Sequence, residues 1–116
     1  MRYFKSGASK DDDELKYDYE GFLSPLVLER FAEYMTKHRK QVDGKLRDSD
    51  NWQKGISKEV YIKSAWRHFL DWWKEHRGFN SRDGIEEAVC GLLFNVMGYY
   101  HEYLKGKNIN TKENNK

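Results

Sequence analysis

The chain lacks several features that would narrow its class at once. It has a single cysteine, Cys90, among 116 residues, so no internal disulfide can form. That points to a reducing compartment. No run approaches the roughly 18 apolar residues that a membrane span needs, and the N-terminal stretch MRYFKSGASKDDDELK lacks the apolar segment of a signal peptide. The expectation is a cytoplasmic protein with no membrane partner. Charge of one sign is lacking too: 21 Lys and Arg stand against 19 Asp and Glu, a net charge of +2. A protein that coats nucleic acid needs a large basic excess, so nucleic acid is not an expected partner. A small basic pocket for one phosphorylated ligand stays open. No Gly-rich phosphate loop, zinc-ligand spacing or serine elbow occurs. Aliphatic residues are few, and the burial energy falls to the aromatic 16%, four Trp included.

The length suits one domain. Residues 1–19 read as a flexible acidic arm carrying Asp11, Asp12, Asp13 and Glu14, residues 20–106 as a helical domain, and residues 107–116 as a flexible tail. Within the domain the pattern predicts three main helices. Ser24 and Pro25 mark the first start as cap and first helical residue. Val27, Leu28, Phe31, Met35, His38 and Val42 then share a face, and Asp43-Gly44 is read as the stop. Ser57 caps a second helix with Glu59 in its first turn, an apolar stripe of Ile62, Ala65, Trp66, Phe69, Trp72 and Trp73, and a stop at Arg77-Gly78. Asp83 and Glu86 resemble a capping box that opens the third, with Ile85, Val89, Leu92, Val96, Tyr99 and Tyr103 as its stripe. This helix is apolar nearly all round and is therefore expected at the centre. Gly91 and Gly98 lie on one side of it, where they would admit another helix closely. The fold expected is all-α, a compact bundle of three main helices, completed by oligomerisation because so small a core favours a partner subunit.

Several polar groups could carry chemistry. Glu86 and Glu87 open the third helix, and Glu87 and Asn95 point the same general way across two turns. A carboxylate and an amide oxygen suit a hard cation, though the acids also complement the helix dipole and Asn95 could make a core hydrogen bond. His68 flanks the second stripe and Asp71 follows three residues on, read as lying toward solvent; the pair could bind metal or hold a general base. Arg67 offers phosphate a planar fork and Lys54 a point charge, or both are plain surface charge. Trp52, among Asp50, Asn51, Gln53 and Lys54, could stack on a base or plug a gap between helices. His38 reads as a core residue. Glu29 and Glu33 sit opposite the apolar face, and nothing near Cys90 would activate its thiol.

Taken in order, DNWQKGI (Asp50 to Ile56), WRH (Trp66 to His68) and EEAVCGLLFN (Glu86 to Asn95) resemble the N-terminal domain family of dATP/dGTP diphosphohydrolases, common in phage genomes. The lead-in EGFLSPLVLERF (Glu20 to Phe31) looks like that family's first helix, so the resemblance covers roughly residues 20–100. The family is similar to all-α nucleotide pyrophosphatases. The resemblance implies magnesium-dependent hydrolysis, with manganese as a substitute metal, of a purine deoxynucleoside triphosphate to monophosphate and pyrophosphate in an oligomer. On this reading Glu86, Glu87 and Asn95 hold the metal, His68 and Glu86 are catalytic, and Asn51, Trp52, Lys54 and Arg67 bind substrate. The chain departs where the family often has His after the acidic pair, since Ala88 stands there, and HRKQV replaces a Gly-Ala-x-Lys-Tyr-like stretch. The rival reading is a non-catalytic helical interaction or nucleotide-binding module of phage origin.

Overall fold

The computed structural model describes residues 2–10 and 16–114; the acidic run Asp11 to Glu14 lies outside the described residues. A two-residue antiparallel ladder, β1 (Arg2–Tyr3) with β2 (Ser9–Lys10), precedes a single helical turn, α1 (Tyr19–Phe22). The three main helices are α2 (Pro25–Lys37), α3 (Lys58–His76) and α4 (Ile85–Asn114), and the protein is an all-α bundle built on them.

Hydroxyl caps set the starts of α2 and α3. Ser24 Oγ accepts the Val27 amide at 3.3 Å with Pro25 at the first helical position, and Ser57 Oγ accepts the Val60 amide at 3.4 Å. The third start shifts slightly. The Ala88 amide donates to the Gly84 carbonyl at 3.2 Å, which makes Gly84 rather than Asp83 the capping residue, and Ser81 Oγ accepts the Gly84 amide. Helical backbone continues to Asn114, past the point where the apolar periodicity stops.

The first helix ends earlier than its pattern suggests. It closes at Lys37, not at Asp43-Gly44. The chain then folds back: Arg47 N donates to Arg39 O at 2.8 Å, Gln41 N to Lys45 O at 2.8 Å, and Lys40 pairs with Leu46. Asp43-Gly44 forms the turn of this small hairpin, with Gly44 at φ +84° and Asp43 Oδ1 accepting the Lys45 amide at 3.0 Å. Val42 is consequently fully exposed, and His38 is the half-exposed C-cap of α2 instead of a core residue.

Helices α2 and α3 both pack on α4, which is central as expected. The α3–α4 seam, however, is not made by the two apolar stripes. The buried residues of α3 are Tyr61, Ala65 and Asp71, and those of α4 include Ala88, Cys90 and Asn95. Glycine explains this choice. A Cβ at Gly91 would stand 2.5 Å from the His68 ring, and one at Gly98 would run into the Tyr61 ring. Tyr61 and His68 are spaced as Gly91 and Gly98 are, so an antiparallel approach seats each ring in a glycine gap. Close approach there offsets the roughly 1 kcal/mol that each helical glycine costs. The price of this register is that Ile62, Trp66, Phe69, Trp72 and Trp73 on α3 stay exposed, Trp66 to 68%, as do Ile85, Val89, Val96, Tyr99 and Tyr103 on α4.

Candidate active site

The early end of α2 creates a cleft. It is bounded by the last turns of α2, the hairpin that follows, the short 3₁₀ turn Asn51–Lys54, and the facing sides of α3 and α4. Its volume is about 520 Å³, within the range of small-molecule sites. Its lining mixes apolar and aromatic groups, Tyr34, Met35, Ile56, Tyr61 and Phe94 among them, with polar and basic ones, including Arg39, Arg47, Asn51, Ser64, His68 and Asn95.

His68 enters the cleft from α3, its ring seated over Gly91. Burial lowers its pKa below the ordinary 6.5, against an opposing pull from Asp71. The imidazole is therefore neutral at pH 7 and able to accept a proton. Asp71 is buried, not turned to solvent, and its Oδ2 accepts from Arg82 Nη2 at 2.9 Å. Burial becomes tolerable because the carboxylate is paired. Asp71 thus acts on His68 through space and makes no hydrogen bond to it among the described residues.

Asn95 is buried, donates Nδ2 to Gly91 O at 2.7 Å and lines the cleft, so the core bond and the site position coexist. Trp52 does the same. It packs edge-on to His101 at 4.8 Å and Phe94 at 6.3 Å between centroids, plugging the seam while lining the cleft beside Asn51. Lys54 and Arg67 fall outside the cleft. Lys54 Nζ faces Asp48 at 3.9 Å, and Arg67 Nη2 donates to Ser64 Oγ at 3.0 Å along its own helix.

Glu86 and Glu87 border a neighbouring, smaller depression of about 170 Å³ with Arg30, Lys37 and Cys90. Glu86 is exposed and meets Arg30 Nε at 3.6 Å. Glu87 is held by Lys37 Nζ on one oxygen and by His38 Nε2 at 3.1 Å on the other. The Lys37 hydrogen bond leads in drawing its carboxyl below the usual carboxylate range, with burial opposing. Because His38 also lines the large cleft, Glu87 stands directly behind it. Burial pushes the Cys90 thiol up, so that thiol is not activated. Burial, helped by the charge of Glu87, pushes the Tyr34 phenol up to about 12.

Glu86, Glu87 and Asn95 do not make a magnesium site by themselves. Residues 87 and 95 are separated by roughly 12 Å of helix axis, Glu86 points to Arg30, and the two oxygens of Glu87 are occupied by Lys37 and His38. Among the described residues no group of three or more His, Cys, Asp or Glu side chains is placed to hold a metal ion.

Arg39, Arg47, Tyr34 and Tyr61 are cleft residues that periodicity does not reveal: it carries the first helix through Arg39, leaves Arg47 in the loop that follows, and gives Tyr34 and Tyr61 no place in the apolar stripes. The signal was present in KQVDGKL, where Asp-Gly between short extended segments marks a hairpin.

The family model described as dATP/dGTP diphosphohydrolase, N-terminal, matches residues 5–112. The match takes in α2, α3, nearly all of α4 and every residue of the cleft, and the chain belongs to that family. No curated protein and no solved structure matches it. No helix among the described residues is long and apolar enough to cross a membrane.

Proposed function

From this family membership we propose that the chain hydrolyses a purine deoxynucleoside triphosphate to the monophosphate and pyrophosphate, and that the large cleft is where the nucleotide binds. The observation that carries the reading is the mixed lining of the cleft. A nucleotide has a flat apolar base and a polyanionic tail, and the cleft combines aromatic side chains with two arginines at a suitable volume. His68 supports it, as a neutral imidazole in the cleft is suited to take a proton from an attacking water. Asn51 and Asn95 supply hydrogen-bonding amides for orientation. Trp52, already packed on α4, gives an edge against which a base can rest.

Magnesium, with manganese as a substitute, belongs to this reading as an ion that arrives on the triphosphate. Such ions are commonly held by one or two carboxylates together with substrate phosphates, and when bound the ion neutralises phosphate charge. Glu87 reaches the cleft through His38, which lines it, and it has to exchange its contact with Lys37 to take part. Nucleotide binding without cleavage is the second reading, favoured by the separation of Glu86, Glu87 and Asn95 and by the buried Ala88. The proposal includes self-association with a second copy of the chain, since the exposed stripes of α3 and α4 are large for a free surface.

The deciding assay incubates the protein with magnesium and each purine deoxynucleoside triphosphate and follows monophosphate and pyrophosphate. Turnover supports hydrolysis. Magnesium-dependent binding without product supports the second reading, and the absence of both sinks the nucleotide assignment. Glu87→Gln with unchanged turnover would remove Glu87 from the site and leave the function standing.

A further inference from the structure

We propose that Arg39 and Arg47 form a polyphosphate-binding end of the cleft. This rests on the nucleotide reading above and names the part of the site that grips the anion.

The two arginines face each other across the hairpin and are locked by it. Arg39 Nε donates to Arg47 O at 2.7 Å, Arg47 N donates back to Arg39 O at 2.8 Å, and Arg47 Nη1 donates to His38 O at 3.0 Å. Each side chain therefore spends one donor on backbone and is held in a defined direction. Most of its fork is left without an acceptor among the described residues. Both line the cleft.

Neither guanidinium meets a carboxylate at ion-pair distance among the described residues. Other basic side chains near the cleft are committed: Lys37 and His38 to Glu87, Arg82 to Asp71. The single acidic residue that lines the cleft, Asp48, faces Lys54 at 3.9 Å. Two like charges held together by a hairpin repel each other, and a multivalent anion relieves that repulsion. Planar forks suit phosphate oxygens bidentately, which a lysine cannot match. Pre-ordering by backbone bonds lowers the entropic cost of gripping the ligand. The chemistry selected is a chain of phosphates, with the aromatic residues of the same cleft left for a base.

The test uses inorganic tripolyphosphate with the full chain and no divalent metal, so that neither hydrolysis nor metal binding enters. Calorimetric titration is expected to show binding to the unaltered protein, weakened about tenfold or more in the Arg39→Gln/Arg47→Gln double variant. Lys63→Gln, on an exposed part of α3, is expected to leave it unchanged. Since the variants also remove backbone contacts of the hairpin, the unaltered protein provides the second measurement. In its ¹H–¹⁵N spectrum the Arg39 and Arg47 side-chain Nε–H signals should shift on adding tripolyphosphate. No binding, or binding that leaves both signals in place, overturns the proposal. Binding at these arginines by a protein that turns over no deoxynucleoside triphosphate keeps the clamp and sinks the hydrolase reading. Turnover with an unchanged KM in the double variant sinks the clamp alone.

Discussion

The His68 imidazole lies over the backbone of Gly91, where an added Cβ would stand 2.5 Å from its Nδ1. The candidate general base is thus positioned by the absence of a side chain on the facing helix. Gly91→Ala gains about 1 kcal/mol of helix propensity but forces the ring out of its gap, and overpacking of this kind costs about 1–3 kcal/mol. The expected outcome is a net loss of up to about 2 kcal/mol in chemical denaturation, with a shifted His68 titration by NMR. Gly98→Ala, which meets Tyr61, should destabilise as well but leave the His68 titration in place. A Gly91→Ala protein that is more stable, with His68 unmoved, would contradict this packing.

Burial sets the direction of the His68 shift, and charged neighbours adjust it. Asp71 raises its pKa and Arg67 and Arg82 lower it, while Arg82 also neutralises Asp71 at 2.9 Å. Removing the guanidinium acts on His68 twice in one direction. Arg82→Gln should therefore raise the His68 pKa, and Asp71→Asn should lower it. Both should reduce the melting temperature, because each leaves a polar partner beside the α3–α4 seam unpaired. ¹H–¹³C titration of the imidazole measures the shifts. A fall in the Arg82→Gln protein would show that Asp71 does not govern the histidine.

The helix starts were legible in the sequence because capping is local. Ser24-Pro25 and Ser57 announce themselves within four residues, and Arg77 closes α3 as its side chain and the following glycine suggest. Burial was less legible. Hydrophobic periodicity assigns Trp66, Phe69 and Trp73 to the inside, yet they are exposed, while Asp71 and Tyr61 are buried. The seam was decided by glycine spacing on α4, a property of the partner helix that no count of apolar residues on α3 contains. The cleft was legible in part. Asn51, Trp52, His68 and Asn95 converge on it from three separate segments. Arg39 and Arg47 escape because the periodicity carries the first helix through Arg39 and leaves Arg47 in the loop beyond it, with the Asp43-Gly44 turn that brings them together taken as a helix stop alone.

The pH dependence of stability has a defined sign on each side of neutrality. His68 is harder to protonate in the folded chain than at its ordinary 6.5, so the unfolded chain binds more protons as pH falls below that value and stability is lost. Glu87, held chiefly by Lys37, and Glu75, held by the Ser81 amide and hydroxyl, lie below their ordinary 4.5. Their contribution is present above that value and lost beneath it. Two acid phases are expected, a shallow one starting near 6.5 and a steeper one below 4.5. On the alkaline side burial raises Cys90 from 9.0 and Tyr34 from 10.0, so the folded chain retains protons that the unfolded one releases and stability falls above those values. Urea denaturation across pH measures the profile. His68→Gln should remove the first acid phase alone, and its persistence would assign that phase elsewhere.

The exposed stripes bear on self-association. Tyr61 is the one large side chain buried to below 2% exposure among the described residues, while Trp66, Phe69, Trp72 and Trp73 on α3 keep 41–68% of their surface in water. An aromatic surface of this size in a chain with so small a core is expected to be covered by a second copy, most simply around a two-fold axis that brings the same patch from each. Light scattering behind size exclusion should then report a dimer or larger assembly at micromolar concentration. Trp66→Glu, on the most exposed ring, should shift it toward monomer and lower the melting temperature in a concentration-dependent way. The His68 titration separates assembly from site formation. Its pKa depends on groups within one chain, so a monomeric Trp66→Glu protein should retain the low value. A stable monomer of the unaltered chain would instead assign the aromatic face to a different partner.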